Sequence, residues 1–154
     1  MRKELDNYPV NKVIPWCCSE YAKNVAFDAE LGKRQILYSE LLIILKKLSL
    51  CLYDLGCRGK NVALIGKNSC EYAIVLLSAL CSDMTLIPID PTLKGEEMRE
   101  RIRLCDAGLV LADSEAAGKL GSGQNQGIEL FDIGKTAALS WQKNRRIRAL
   151  SFLI

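Results

Sequence analysis

Hydrophobic residues recur at helical spacing over residues 39–55 and then give way to short, uninterrupted apolar runs. The helical stripe consists of Leu41, Ile44, Leu45, Leu48, Leu52 and Leu55. Because positions three and four apart share one face of a helix, this spacing predicts an amphipathic helix. Ser39 is the predicted N-cap, and Gly56 is predicted to take the left-handed conformation just beyond the last turn.

Four apolar runs further along the chain predict β-strands. They are VALI (62–65), TLIPI (85–89), GLVLA (108–112) and IELFDI (128–133). The first run is apolar on both faces, which favours a central strand of a parallel sheet. The second contains Pro88, which has no N–H to donate and therefore indicates a strand end or a sheet edge.

The segments between these runs predict helices. Asn68 and Glu71 form a capping pair for an apolar helix through residue 81, a charged helix follows over 96–105, and a short helix over 114–120 comes after Asp113. The charged helix has a narrow apolar stripe of Met98, Ile102 and Cys105, while its pairs Glu96/Glu100 and Glu97/Arg101 face water. Strands that alternate with helices imply an α/β fold in three layers, with a mostly parallel sheet between flanking helices.

The pattern divides the chain into three parts. Residues 1–35 have only short apolar runs and are interpreted as a leader that packs against the rest, with a short helix near 15–22. The breaks in this part are Pro9, Pro15 and Gly32. Residues 36–134 form the α/β unit, and residues 135–154 form a basic tail with the composition of a disordered end.

Composition and charge exclude several classes of function. A chain of 154 residues with 49% hydrophobic content is long enough for one domain with its own core. Basic residues are concentrated near the end of the chain, where four occur without an acid: Lys143, Arg145, Arg146 and Arg148. A nucleic-acid-binding domain distributes such residues over a surface instead. With neither a signal-peptide core nor an apolar stretch of membrane-spanning length, we expect a cytoplasmic protein without a nucleic-acid partner.

The seven cysteines indicate reduced thiols rather than disulfides or a metal site. They are Cys17, Cys18, Cys51, Cys57, Cys70, Cys81 and Cys105. Their number is odd, no CxxC pair occurs, and most lie in apolar runs where a thiol acts as a small core residue. Since the chain has no histidine, neither a Cys/His zinc site nor a Ser-His or Cys-His nucleophilic centre can form.

Two glycine-containing segments are candidate phosphate-binding loops. The Gly66-Lys67 turn has one glycine where a dinucleotide fingerprint needs three, and it lacks the earlier glycine and the following hydroxyl of a nucleoside-triphosphate loop. We interpret it as a tight turn that leads into a core helix. The segment GSGQNQG (121–127) precedes a strand rather than a helix, so no helix dipole would stabilise an anion there, and we interpret it as a loop.

Two further groups of residues receive no catalytic role. Cys17 and Cys18 are adjacent, but neighbouring cysteines seldom bridge each other and nothing nearby in the sequence lowers a thiol pKa. Asp83, Asp90 and Asp106 lie at the ends of elements, where acids cap helices and turn the chain. No catalytic, cofactor-binding or metal-binding residue is therefore assigned.

Three successive stretches carry a resemblance to a known family. Residues 36–80 contain Tyr38, Glu40 and Leu41, then Leu55 and Gly56, then Val62 and Ala63, then Asn68, Ser69 and Glu71. Residues 85–102 contain Pro88, Asp90, Pro91, Glu96 and Glu97, and residues 105–113 read CDAGLVLAD. In this order the stretches resemble the amino-terminal part of the acyl-adenylate-forming (AMP-binding) ligases, most closely the long-chain fatty-acid–CoA ligase branch.

The resemblance implies a partial amino-terminal subdomain of an enzyme that uses ATP and magnesium to activate a carboxylic or fatty acid, and then transfers the acyl group to coenzyme A. It departs from the family at 82–84, where a small, Gly-containing pair is replaced by Ser82-Asp83-Met84. The family's Ser/Thr/Gly-rich loop ending in Pro-Lys-Gly has no counterpart in 114–154, and the segments that hold adenine, ribose and the catalytic lysine are absent too. The Gly66-Lys67 turn is then scaffold, and the chain itself needs no cofactor.

Three interpretations remain. The chain is a truncated fragment of an acyl-CoA synthetase, inactive alone, whose tail after Asp132 reflects an altered reading frame or gene end. Alternatively, it is a subunit of a split ligase or an interaction module, whose partner is the missing remainder of the ligase. The third interpretation is an independent nucleotide-binding α/β domain of another kind.

Overall fold

A computed structural model describes residues 8–29, 34–121, 129–134 and 137 of the protein. Its elements, in chain order, are α1 (Val10–Glu20), β1 (Val25–Ala29), β2 (Arg34–Leu37), α2 (Tyr38–Asp54), β3 (Asn61–Ile65), α3 (Cys70–Leu80), β4 (Thr85–Ile89), α4 (Gly95–Leu104), β5 (Leu109–Ala112), α5 (Ser114–Leu120) and β6 (Glu129–Asp132). Strands β3 to β6 form a parallel sheet in the order β4-β3-β5-β6, and β1 pairs with β2 in an antiparallel hairpin.

The parallel sheet is buried on both faces because its central strands alternate between two cores. In β3, Val62 and Leu64 belong to the core that includes residues of α1, α2 and α3. Ala63 and Ile65 belong to the core that includes residues of α4 and α5. The predicted three-layer α/β fold is therefore confirmed, and β3 is central, as its run of apolar residues predicted.

Pro88 lies on β4, which forms one edge of the described sheet. Leu64 of β3 is its register partner, and the sheet order places no described strand on the other side. A residue without an N–H is tolerated at an edge, because only one side of the strand needs ladder hydrogen bonds. Of the two positions that the proline predicted, a strand end or a sheet edge, the described sheet shows the edge.

Helix α2 begins at Tyr38, and the predicted cap at Ser39 is wrong. The backbone of the preceding loop does the capping: the N–H of Tyr38 donates to the carbonyl of Asn24 at 3.0 Å, and that of Ser39 donates to Ala22 at 3.2 Å. A carboxylate oxygen of Glu40 accepts from the N–H of Leu37 at 3.0 Å. With Leu37 as the N-cap, Ser39 is already the second residue of the helix, and carbonyls of the preceding loop satisfy two of the first N–H groups.

The C-terminus of α2 confirms the role predicted for Gly56. This glycine has a φ of 80°, in the left-handed region. Its N–H donates to Tyr53 at 2.9 Å, and the N–H of Cys57 donates to Leu52 at 3.0 Å. The pair of bonds is a Schellman motif, which satisfies two carbonyl groups at the helix end.

Helix α3 is capped by Ser69, one residue later than predicted. The hydroxyl of Ser69 accepts a hydrogen bond from the N–H of Tyr72 at 3.0 Å. The backbone of Ser69 is still extended, with φ −145° and ψ 167°, so the helix cannot include it and starts at Cys70. Asn68 lies one position too early to serve the first turn, which is why that prediction was wrong.

The remaining elements of the α/β unit follow the predictions closely. The predicted helices over 96–105 and 114–120 correspond to α4 and α5, and the strand predicted over 128–133 corresponds to β6. In α4, Met98 and Ile102 are buried while Cys105, just past the helix, is half-buried. The four charged residues of the predicted pairs are exposed. Apart from Gly121, the loop over 121–127 lies outside the described residues, as does the chain beyond residue 137.

The amino-terminal part has more structure than the sequence predicted. Helix α1 covers eleven residues rather than a few near 15–22. The hairpin of β1 and β2 was not predicted, because its apolar positions are few and it has an irregular register between Val25 and Phe27. Ile36, which is 3% exposed, joins the core shared with α2, and Phe27 packs against it. The division at residue 35 stays a prediction.

The polar turn at 82–84 is held by the end of α2 and the loop after it. The hydroxyl of Tyr53 accepts a hydrogen bond from the N–H of Asp83 at 2.9 Å, and the carbonyl of Asp83 accepts from Gly59 at 2.7 Å. Arg58 lies over the Tyr53 ring and 3.8 Å from the Asp83 carboxylate. A larger, polar turn is thus accommodated before β4.

Candidate functional site

The strand order creates a topological switch point between β3 and β5. The chain runs from β3 outward to β4 and then returns past β3 to β5 and β6. At such a point the loops after two neighbouring parallel strands diverge, and a crevice opens outside their carboxyl ends. Ligands of open α/β sheets bind in this position, so it is the first place to look for a functional site.

Asp113 occupies this switch point. It follows β5 directly, and its backbone N–H donates to the carbonyl of Ile65 at 3.0 Å. One carboxylate oxygen accepts from the N–H of Lys67 at 2.8 Å, and the other accepts from the N–H of Ala116 at 2.8 Å. A single carboxylate therefore caps α5 and links it to the loop that follows β3.

Gly66 lies where Asp113 approaches the backbone closely. A Cβ atom at Gly66 would lie 3.2 Å from the carboxylate oxygen that bonds Lys67, and 3.0 Å from the Cδ1 atom of Ile133. The absence of a side chain allows the carboxylate to reach the N–H of the next residue. The glycine of the Gly66-Lys67 turn thus serves an internal carboxylate.

Ion pairs join the same loops at the surface. The ammonium group of Lys67 lies 2.6 Å from one carboxylate oxygen of Glu115, and that of Lys119 lies 3.4 Å from the other. Lys119 also donates to the carbonyl of Pro91 at 2.6 Å. The loops after β3, β4 and β5 are in this way connected through polar side chains of α5.

The charges in this cluster are stable near neutral pH. Burial raises the pKa of Asp113, but hydrogen bonds from the N–H groups of Ala116, Lys67 and Glu115 and the charge of Lys67 outweigh it and lower the pKa. The hydrogen bond with Lys67 lowers the pKa of Glu115 and raises that of Lys67. None of these groups is thereby tuned toward proton transfer near neutral pH.

A cleft of about 410 Å³ lies beside this cluster, between the carboxyl ends of β3 and β4. Its polar lining residues are Lys67, Asn68, Tyr72 and Asp90. Asp90 accepts from both the N–H and the hydroxyl of Thr92, at 2.8 and 2.7 Å, and these bonds lower its pKa. Burial raises the pKa of Tyr72, which keeps the phenol protonated. The cleft therefore offers fixed charges and one phenolic hydroxyl.

The three aspartates weighed from the sequence do not form a site. Asp83 and Asp106 precede β4 and β5, at the amino edge of the parallel sheet, whereas Asp90 follows β4 at the carboxyl edge. Asp106 has a φ of 51° and occupies the left-handed position after α4. Each of them shapes a turn, and the two edges of the sheet keep them apart.

The adjacent cysteines occupy a packed environment. Cys18 is 2% exposed, and burial together with the neighbouring Cys17 raises its pKa. A raised pKa keeps the thiol protonated and weakly nucleophilic. Across the described ranges, no three His, Cys, Asp or Glu side chains are grouped so as to hold a metal ion, and none of the described helices is long and apolar enough to cross a bilayer.

Sequence reasoning did not identify Asp113 and Glu115 as parts of a cluster. The local signal was present, because an aspartate directly before a short helix is a typical N-cap. Its partner Lys67 lies 46 residues away, however, and only the parallel pairing of β3 with β5 brings the two loops together.

Comparison with known proteins identifies a family. The family model described as AMP-binding enzyme matches residues 15–146. A curated relative, the 4-coumarate–CoA ligase-like 1 protein of Arabidopsis thaliana, is 24% identical over 127 residues. The match covers 80% of this chain and 23% of the relative, so the chain spans less than a quarter of that protein's length.

Solved structures have the same fold. Klebsiella oxytoca NpsA in complex with 3-hydroxyanthranilyl-AMSN superimposes with a TM-score of 0.71 at 17% identity, covering 84% of this chain and 25% of NpsA. The N-terminal domain of FACL13 from Mycobacterium tuberculosis gives a TM-score of 0.77 at 14% identity, covering 88% of this chain and 36% of that domain. At these identities the likeness is one of fold, and it confirms the predicted amino-terminal subdomain architecture of adenylate-forming ligases.

Proposed function

Because the chain belongs to the AMP-binding enzyme family, we propose that it is the amino-terminal part of an ATP-dependent acyl-CoA synthetase. The complete enzyme would use ATP and magnesium to convert a carboxylic or fatty acid to an acyl adenylate, and would then form a thioester with coenzyme A. The family match over residues 15–146 carries this proposal. The name of the curated relative, 4-coumarate–CoA ligase-like 1, supports the choice of acyl-CoA synthetase within the family.

In this proposal the chain acts as scaffold and does not catalyse adenylation alone. The N–H of Lys67 lies at the switch point and already donates to the carboxylate of Asp113. The ammonium group of Lys67 is paired with Glu115. Adenylation needs donors and cations arranged around a triphosphate, and at this edge of the sheet both the backbone N–H and the ammonium group of Lys67 already have partners within the protein.

Calorimetric titration of the 154-residue protein with magnesium-ATP tests the scaffold role. We expect no saturable heat, either from the natural chain or from a Lys67→Ala variant. Saturable binding that Lys67→Ala abolishes would contradict the proposal and would identify the Gly66-Lys67 turn as a nucleotide site. That result would favour an independent nucleotide-binding domain.

A second experiment tests the proposed reaction. The coding sequence on both sides of these 154 codons is read, and a product that also contains a Ser/Thr/Gly-rich loop ending in Pro-Lys-Gly is purified. We expect ATP–pyrophosphate exchange that depends on an added acid, with palmitate and 4-coumarate as probes, and thioester formation when coenzyme A is present. Acid-dependent exchange without any thioester would restrict the proposal to adenylation, and no exchange with either acid would contradict it.

A second candidate function is that of a non-catalytic subunit that binds the rest of a ligase supplied as a separate chain. Leu130 favours it, because this residue lies on β6, at the other edge of the described sheet, and is 36% exposed. A strand at the edge of a sheet can pair with another chain, and an exposed apolar side chain on that strand would be covered by such a contact. The test is co-elution of the two separately expressed parts, which a Leu130→Lys variant should weaken and a Leu104→Lys variant, changed on α4, should not.

A further inference from the structure

A second concave surface lies between α1 and α2, on the side of the sheet that these two helices cover. It encloses about 370 Å³ and ends at Cys81, just after α3. Its apolar lining is formed by Pro15, Leu42, Leu45, Leu50 and Cys81, and its polar lining by Asn11, Lys46 and Ser49. We refer to this surface as the α1–α2 groove. A mostly apolar pocket of this size with a few polar groups is typical of a site for a small organic ligand.

The floor of the groove is part of the hydrophobic core, and its walls are apolar. Leu45 is 1% exposed and belongs to the core beneath the groove. Leu50 is half-buried on α2 and lines the groove itself. Burial and the nearby Cys18 raise the pKa of Cys81, so the thiol at the end of the groove is uncharged. An apolar chain entering here would replace water against carbon and sulfur atoms.

The polar groups of the groove differ in what they can offer to a ligand. Ser49 donates its hydroxyl hydrogen toward the carbonyls of Leu45 and Ser78, at 2.9 and 3.2 Å, which leaves it no donor for a ligand. Pro15 has no N–H to donate to the carbonyl of Asn11 one turn earlier. The charged group of the lining is Lys46, which is exposed and makes no ion pair with any residue that the structure describes.

We propose that the α1–α2 groove binds an amphipathic carboxylate with a single medium-length aliphatic chain, with the chain against Leu42, Leu45 and Leu50 and the carboxylate beside the ammonium group of Lys46. Charge complementarity selects the head group, since the one charged residue of the lining is a cation with no described partner. The size of the groove and its apolar walls select the tail. This site lies across the sheet from the cluster around Asp113 and involves neither ATP nor coenzyme A, so it does not rest on the proposed function.

Titration of the full 154-residue protein with decanoate, followed by backbone amide NMR, tests the proposal. We expect saturable shifts at residues of α1 and α2, weaker binding of hexanoate because its shorter chain buries less apolar area, and weaker binding of decanol because it lacks the charge. No saturable shifts below the micelle concentration of decanoate would overturn the proposal. Shifts confined to the carboxyl edge of the sheet would overturn it as well.

Lys46→Glu and Lys47→Glu form a matched pair of variants. Both lysines lie on α2, but only Lys46 lines the groove. We expect Lys46→Glu to weaken decanoate binding by about threefold to tenfold and Lys47→Glu to change it by less than about twofold, because exposed ion pairs contribute little individually. Equal effects of the two variants would indicate a general effect of net charge and would overturn the assignment of the head group to Lys46.

A third variant, Leu50→Trp, tests the tail by filling the groove. It should abolish decanoate binding while far-UV circular dichroism shows an unchanged fold. If this variant does not fold, the comparison of Lys46→Glu with Lys47→Glu still tests the proposal, because both lysines lie outside the buried core. Sedimentation analysis covers the alternative occupant: a dimer that Leu50→Trp dissociates would assign the groove to a second copy of the chain and overturn the proposal.

Discussion

The carboxylate of Asp113 accepts a hydrogen bond at 2.8 Å from the backbone N–H of Lys67, across the switch point between β3 and β5. The loop after one strand thereby presents an anion to the loop after its neighbour. In an open α/β sheet this is where a ligand's anionic group would be expected. Here the protein supplies the anion itself, and the bond becomes part of the fold.

Replacing Asp113 with alanine should destabilise the protein. The change removes the N-cap of α5 and leaves the N–H groups of Lys67 and Ala116 without their acceptor. We expect the free energy of unfolding to fall by about 1–2 kcal/mol. Urea denaturation followed by circular dichroism measures the change.

Two further variants separate the causes. Asp113→Asn keeps an oxygen that can cap the helix, so its free energy of unfolding should fall by less than that of Asp113→Ala. Ser114→Ala changes the next residue, which is exposed and whose side chain is not the cap, and should be close to neutral. If Ser114→Ala lowers the free energy of unfolding as much as Asp113→Ala does, the carboxylate has no special part in the stability of this edge.

The contribution of Asp113 should depend on pH in a defined direction. Its pKa is lower in the folded chain than the ordinary value of 3.8, because hydrogen bonds from N–H groups and the charge of Lys67 outweigh the opposing effect of burial. Stabilisation by this group is therefore fully present above 3.8 and is lost as the pH falls through its folded value.

The measurement is the difference in unfolding free energy between the natural protein and Asp113→Asn, taken at neutral pH and well below pH 3.8. We expect the difference to shrink in acid. The carboxylates of Asp90 and Glu115 also have lowered pKa values, so both proteins should lose stability there together. A difference that grows in acid would show that the folded pKa of Asp113 is raised, contrary to this account.

The parallel sheet was predictable because its signals are local. Each strand of the sheet is a short apolar run, and the alternation of runs with helical spacing defines the class. The hairpin of β1 and β2 was not predictable in this way. Ile36 becomes a core residue only when α2 packs beneath it, and no periodic signal in so short a strand anticipates that contact.

The starts of the helices show a related limit of prediction from the sequence. The sequence predicted side-chain caps at Ser39 and Asn68, whereas α2 is served by carbonyls of Ala22 and Asn24 and α3 by the neighbouring Ser69. Which acceptor serves an N–H group depends on the path of the preceding loop. The cluster around Asp113 is the extreme case, since its ion pairs and hydrogen bonds join loops that only the strand order brings together.

Asp106 offers a test of backbone strain. It has a φ of 51° at the position after α4, where the N–H of Ala107 donates to Ile102 at 3.1 Å in the arrangement that glycine favours. Asp106→Gly should raise the free energy of unfolding by up to about 1 kcal/mol, and Asp106→Ala should lower it by a similar amount, because Cβ is disfavoured in the left-handed region. If urea denaturation ranks alanine above glycine here, this position is not left-handed in solution.

Substitution by alanine should change the free energy of unfolding in opposite directions at two glycines on neighbouring helices. Gly95 is the first residue of α4, and a Cβ atom there would collide with the carbonyl group of Lys119 near the end of α5. Gly118 lies within α5, and a Cβ atom there would meet nothing within 4 Å. Backbone cannot move aside as a flexible side chain can, so the Gly95 contact fixes how closely the two helices approach.

We expect Gly95→Ala to cost about 1–3 kcal/mol, because relief of the collision requires α4 and α5 to separate. Such a separation would also stretch the hydrogen bond at 2.9 Å from Arg99 to the carbonyl of Leu120. Gly118→Ala should instead raise the free energy of unfolding by as much as about 1 kcal/mol, since alanine is the better helix former and the site is open. Urea denaturation of both variants decides: if Gly95→Ala is as stable as Gly118→Ala, the two helices do not touch as closely as the backbone positions of Gly95 and Lys119 require.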